Sequence, residues 1–144
     1  MFLIDTHTHL YLDDFKQDLD LLIKSAIKKN IKKFLLPNID TNTLQPLLKL
    51  THLYPNNCFP MIGLHPCSVD ENFKTNLKVL ESEITKNKFI GIGEIGIDLH
   101  WDQTYLNEQK KAFELQINWA KKYNLPIVIH SRKSFDQIYQ ILKK

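Results

Sequence analysis

The sequence is poor in arginine, glycine and cysteine. Four glycines and six prolines in 144 residues exclude collagen-like and low-complexity material. Two cysteines, Cys58 and Cys67, are too few for a disulfide scaffold and point to a reducing cytoplasm. No apolar run approaches the roughly 20 residues needed to cross a bilayer, so neither a transmembrane helix nor a membrane partner is expected. The start, Met1-Phe2-Leu3-Ile4-Asp5, has no basic region and meets a charge early, unlike a secretory signal. Neither G-x-G-x-x-G nor G-x-x-x-x-G-K-[ST] is present, so nucleotide-binding versions of an α/β fold lose support. What remains is an ordinary globular composition, 43% hydrophobic and 24% charged, which excludes a disordered chain. The length fits one domain. A net charge of +3 says little about nucleic acid by itself. Eighteen of the nineteen basic residues are lysines, read as solvated surface; the single arginine, Arg132, stands out against them.

Along the chain, apolar residues alternate between two spacings. Short apolar runs at 2–4, 34–37, 59–64, 89–93 and 127–129 read as strands. Phe15, Leu19, Leu22, Ile23, Ala26 and Ile27 form a helical stripe behind a capping Asp13 or Asp14. A second helix is expected from Thr41 to about Tyr54, with Pro46 in its first turn. Leu77, Leu80 and Ile84 mark a third. A long fourth helix, from about Tyr105 to Tyr123, ends at Asn124 and cannot continue through Pro126. Ser134 caps a last one carrying Phe135, Ile138, Ile141 and Leu142. The result is five β-α units in strict alternation, one domain over residues 1–144. Strands apolar on both faces and joined by helices make a parallel sheet covered by helices. Doubly wound sheets and (β/α)8 barrels both fit; a complete barrel takes about 250 residues, so the chain holds roughly five of eight units.

Polar residues gather just past the expected strands: Asp5-Thr6-His7-Thr8-His9, Leu64-His65-Pro66, Glu94-Ile95-Gly96-Ile97-Asp98 and His130-Ser131-Arg132. In parallel α/β folds this edge carries ligands and catalytic groups. In extended backbone, residues two apart point the same way, so His7 and His9 form a ready pair of metal ligands. Glu94, with glycines around it, can bridge two cations, and His130 would complete a His/His/Glu/His set. Asp98 either supports a ligand from behind or caps a helix. Arg132 suits a planar contact with phosphate or carboxylate. His65 is suited to neutralise a phosphate, donate a proton or hydrogen-bond a bound oxygen. Asp5 is placed to orient the two histidines behind it, and Cys67 reads as packing. Two divalent ions roughly 3.5–4 Å apart, sharing a carboxylate, can activate water and hold both oxygens of a phosphoryl displacement.

These residues, in this order, resemble the TatD family of metal-dependent deoxyribonucleases, within the amidohydrolase-like TIM barrels. Asp5-Thr6-His7-Thr8-His9-Leu10 is similar to the family's D-x-H-x-H opening, and Gly63-Leu64-His65-Pro66 to its G-x-H-P segment. Gly93-Glu94-Ile95-Gly96-Ile97-Asp98 resembles G-E-x-G-L-D, with Ile97 for the commoner Leu. The stretch from Leu125 through His130 to Arg132 resembles L-P-x-x-x-H-x-R. The resemblance implies a TIM-barrel fold and metal ligation by His7, His9, Glu94 and His130. Glu94 would bridge two divalent ions (Mg, Mn or Zn) as the catalytic carboxylate. His65 and Arg132 would lie near the scissile phosphate. DNA is the implied substrate, trimmed from its 3′ end, and some members are assigned to other hydrolyses.

The sequence departs from the family pattern beyond His130. The family's barrel continues with three more strands, which supply a further His ligand and a final Asp. After His130 this chain has no histidine, and Asp136, expected on a helix, is its only acidic residue. The chain is therefore expected to be the N-terminal part of such an enzyme. An open five-unit sheet leaves an unpaired edge, so self-association or a complementing C-terminal half is expected. Two other readings stay open: hydrolysis of another ester or amide, such as an aminoacyl-tRNA, and a catalytically impaired remnant that binds metal or phosphate.

Overall fold

A computed structural model describes residues 1–143. Five strands alternate with five helices: β1 (Leu3–Asp5), α1 (Leu19–Lys28), β2 (Ile31–Pro37), α2 (Leu44–Leu53), β3 (Cys58–Met61), α3 (Phe73–Ile84), β4 (Ile92–Asp98), α4 (Leu106–Tyr123), β5 (Ile127–Arg132) and α5 (Phe135–Leu142). All strand pairings are parallel. None of the helices among the described residues is long and apolar enough to cross a membrane.

Boundaries differ from the sequence reading in several places. Asp13 and Asp14 open a short 3-10 turn, Asp13–Phe15, and α1 begins only at Leu19. The apolar spacing runs unbroken across both pieces, so periodicity alone does not separate them. β3 ends at Met61, because Ile62 leaves β2 and bridges to Ile92 instead. The largest shift is in β4, expected at 89–93 but found at Ile92–Asp98. Glu94 and Asp98 therefore sit within a strand buried along its whole length, not in a loop beyond it. His130 and Arg132 likewise belong to β5.

Backbone hydrogen bonds join the five strands into one curved wall. β1, β2 and β3 are neighbours, with Asp5 opposite Phe34 and Pro37 opposite Met61. β4 pairs with β5, Asp98 lying opposite Arg132. Between the two groups, the Gly93 N–H donates to the Ile62 carbonyl at 2.9 Å. Beyond the end of β2, the Asn38 N–H reaches the carbonyls of Met61 (3.2 Å) and Gly93 (3.0 Å), and the Asn38 carbonyl accepts from the Glu94 N–H at 3.1 Å. β2 thus bends across β3 to touch β4, as in the wall of a barrel. The outer edges of β1 and β5 pair with no strand among the described residues.

Helices cover the outside. On α4, Ala112, Phe113, Trp119 and Ala120 are buried at helical spacing. The helix stops where Asn124 turns left-handed at φ 53°, its N–H returning to Ala120 and Lys121. Phe34, Leu36, Ile62, Leu64, Ile95, Ile97 and Phe113 are fully enclosed.

Glycine is required at two points. A Cβ on Gly93 would lie 2.8 Å from the Cβ of Val128. Gly96 has φ +146°, and a Cβ there would run into the carbonyl oxygen of His130. Gly96→Ala is therefore expected to lower unfolding free energy in urea by more than about 2 kcal/mol. Leu115→Ala, on the exposed face of α4, should cost under about 0.5 kcal/mol in the same assay.

Candidate metal centre

The strand ends converge on one buried carboxylate. Glu94, on β4, is 7% exposed. Its Oε2 faces the segment after β1, with His7 Nε2 at 3.0 Å and His9 Nε2 at 3.7 Å. Its Oε1 faces the opposite way, with His130 Nδ1 at 3.0 Å and His65 Nε2 at 3.8 Å. Two groups of ligand atoms result: His7, His9 and Glu94, and His65, Glu94 and His130, each drawn within 4.8 Å.

Neighbouring hydrogen bonds set which ring nitrogens carry protons. Tyr11 donates its only proton to the Pro37 carbonyl at 2.5 Å. Burial, with the charges of Asp40 and Glu94, pushes its phenol pKa well above the usual value, so the proton stays in place. The Tyr11 oxygen, 2.8 Å from His9 Nδ1, must then accept from that nitrogen. His9 Nε2 is left with its lone pair toward Glu94. Burial and the neighbouring His7 lower the His9 pKa, which keeps the ring neutral.

His65 is arranged in the opposite sense. Its Nδ1 accepts from the Cys67 N–H at 3.1 Å, so its Nε2 carries the proton. Burial lowers its pKa to about 4, and the ring is neutral at pH 7. His65 therefore presents a neutral N–H donor, 3.0 Å from His130 Nδ1. His130 turns Nε2 to Asp98 at 2.8 Å and Nδ1 to Glu94. Its hydrogen bond to Glu94, opposed by burial and aided by Asp98, raises its pKa. Burial works against the Glu94 charge, but the His130 hydrogen bond and the surrounding imidazoles outweigh it, and its pKa is lowered.

This donor set fits a divalent cation. Unprotonated His9 Nε2 points at a buried carboxylate, a repulsive arrangement unless a cation lies between them, and His130 Nδ1 meets the same carboxylate through a proton that a cation could replace. On the Oε2 side three groups can ligate. On the Oε1 side Glu94 and His130 can, while His65 offers a proton. Nitrogen-rich coordination favours Mn²⁺ or Zn²⁺ over Mg²⁺.

Other expected residues are placed as follows. Asp5 accepts the His7 N–H at 3.2 Å and so holds the segment carrying the two histidines. Asp98 hydrogen-bonds His130 and accepts the His100 N–H at 2.8 Å. Burial pushes the Cys67 thiol up to about 11, so it is not a thiolate at neutral pH. Arg132 does not join the Glu94 cluster. Its guanidinium lies over the Trp101 ring, 5.1 Å from the centroid, and forms no hydrogen bond or ion pair with the described residues.

Several supporting residues escape a motif search. Gln116 of α4 accepts from the Leu64 N–H (2.7 Å) and donates to its carbonyl (3.2 Å), fixing the backbone beside His65. Gln109 accepts from the Asp98 N–H at 2.9 Å, and Ser134 donates to the Ile97 carbonyl at 2.6 Å. Asn38 donates to the carbonyls of Gly63 and Asp40. The available signal was a polar residue within an apolar stripe: Gln109 and Gln116 share a helix face with Phe113 and Ala120.

Comparison with known proteins decides the family. The model of TatD related DNase matches residues 4–144. The chain belongs to that family. This TatD chain is 36% identical to an uncharacterized metal-dependent hydrolase of Haemophilus influenzae, over its whole length and 58% of that protein. It is 26% identical to the 3'-5' ssDNA/RNA exonuclease TatD of Erwinia tasmaniensis, covering 98% of this chain and 54% of the relative. The crystal structure of YjjV, a TatD homologue from Escherichia coli, superposes with a TM-score of 0.90 at 28% identity, covering 98% and 55% of the two chains. The fold is therefore a partial TatD-type barrel. The TatD chain spans about half the length of the curated relatives it matches.

Tyr11→Phe keeps the ring and removes the oxygen that fixes His9. It is expected to weaken Mn²⁺ binding by about 10–100-fold in calorimetric titration, with the urea midpoint little changed.

Proposed function

We propose that the chain carries the metal-binding half of a hydrolase that cleaves nucleic-acid phosphodiester bonds, acting from the 3′ end of a single strand. The observation that carries this reading is Glu94, buried between four imidazoles, with a separate group of ligand atoms at each carboxylate oxygen. In this reading His7, His9, Glu94 and His130 would hold two divalent ions, Glu94 offering one oxygen to each group of ligand atoms. Bound there, such ions would supply Lewis acidity at the phosphoryl oxygens and an activated water. The chain's own residues do the rest. Tyr11 and Asp98 keep the lone pairs of His9 and His130 directed inward. His65 offers a neutral N–H to a phosphoryl oxygen, and Arg132 places a cation on the same rim, where negative charge develops. The name of the Erwinia relative, a 3'-5' ssDNA/RNA exonuclease, supports single-stranded DNA or RNA and the 3′ end. The thiols of Cys58 and Cys67 fit a cytoplasmic setting.

The test is release of nucleotides from 3′-labelled single-stranded DNA by the purified chain. Release is expected to require Mn²⁺ or Mg²⁺, to stop with chelator and to vanish in Glu94→Gln. Arg132→Ala should lower it by about 10²–10³-fold. A second reading, metal binding without turnover, draws support from the Oε1 side, where only Glu94 and His130 have free lone pairs. Mn²⁺ binding at His7 and His9 without any release would favour that reading.

We also infer that the open edges meet another polypeptide, a second copy or a complementing half. Phe2, Leu3 and Ile4 along β1 are 49–55% exposed. Phe135 of α5 is 72% exposed. Unpaired apolar strand edges invite association. Sedimentation is expected to show species larger than a monomer; a monodisperse monomer would overturn this point.

A further inference from the structure

A cavity of about 270 Å³ adjoins the metal centre on the side of Asp98. It is walled by Trp101 and Tyr105 and also bounded by Asp70, Asp98 and Asp102. One residue separates it from the carboxylate cluster: Asp98 lines the cavity and hydrogen-bonds His130, which in turn contacts Glu94. Folding leaves Trp101 74% exposed, although an indole gains much by burial. Its ring is nonetheless held. His100 meets it edge-to-face at 4.6 Å, and the Arg132 guanidinium lies over it at 5.1 Å. The chain's only arginine thus lays its planar cation over an exposed aromatic ring, while its N–H groups have no hydrogen-bond partner among the described residues.

We propose that this cavity is a nucleobase subsite, in which Trp101 stacks the base of a nucleotide next to the phosphate held at the metal centre. The inference rests on the nucleic-acid reading above and extends it to a defined position on the strand. A flat neutral ring fits a cavity with aromatic walls, because every base has a π-face to stack. The carboxylates of Asp70 and Asp102 repel a phosphate, so the base is the part that enters. The phosphate stays outside, toward the Arg132 guanidinium that lies over the same Trp101 ring. Stacking of this kind is tolerant of sequence, as a strand-trimming activity requires.

The experiment is a fluorescence titration in EDTA, which stops metal-dependent cleavage. The probes are (dC)4 and a four-unit abasic oligomer with the same phosphates. Trp119 is 5% exposed and reports only on folding, so quenching by an oligomer reads Trp101. The expected result is quenching by (dC)4, with affinity about 5- to 150-fold tighter than for the abasic oligomer. Trp101→Phe should keep most of that difference. Trp101→Ala should abolish it, measured by competition against a labelled oligomer, with the far-ultraviolet spectrum unchanged. Equal affinity for the two oligomers, unaltered in Trp101→Ala, would overturn the subsite and leave the nucleic-acid reading intact. Failure of both oligomers to bind the unaltered chain would overturn the two together.

Discussion

A buried carboxylate that must keep its charge is the constraint around which this chain is organised. Placing Glu94 inside a strand with no exposed face carries a large desolvation cost, which only nearby cations or well-directed N–H groups can offset. The surroundings meet that demand from four sides. His7 and His9 arrive from the end of β1, His65 from beyond β3 and His130 from β5. They come from three different strands, so the cluster exists only when the strands pack in their native order. Fold and site are one problem: the parallel wall brings the imidazoles together, and the carboxylate gives three chain segments a common partner.

The imidazoles themselves are controlled from outside the cluster. Tyr11, Asp98 and the backbone N–H of Cys67 each decide which nitrogen of one ring carries the proton. Behind them, polar side chains from the helices hold the strand ends. Gln116 secures the backbone at Leu64, Gln109 that at Asp98, and Ser134 that at Ile97. These groups are buried in an otherwise apolar layer, where an unpaired amide would cost about 1–3 kcal/mol. Each instead satisfies a backbone group that the sheet leaves open. The same contacts remove a penalty in the core and restrain the geometry of the centre.

Much of this was legible in the sequence, and the gaps have physical causes. The alternation of strands and helices came from apolar spacing, and the C-terminal end of α4 came from Asn124 and Pro126. The ligand candidates stood out because H-x-H in extended backbone is a local pattern. β4 was misplaced because Glu94, Gly96 and Asp98 look like loop residues to any reading of hydrophobicity. They remain in a strand because their partners, chiefly His130, lie some thirty residues away, beyond the reach of local pattern. Tyr11 was passed over for the same reason: its acceptor, Pro37, belongs to another strand. Arg132 was noticed for its rarity, but its stacking on Trp101 depends on a loop conformation that composition does not encode.

The reach of Asn38 has a consequence for how the wall acquires its shape. Its backbone bonds to both β3 and β4, and its side chain holds Gly63. The bend is therefore written into a contact between neighbouring strands rather than imposed by closing a ring. The arc is a preformed mould. Strands completing it from another polypeptide would meet an arc whose bend does not depend on them, so the ordering cost would fall chiefly on the incoming partner.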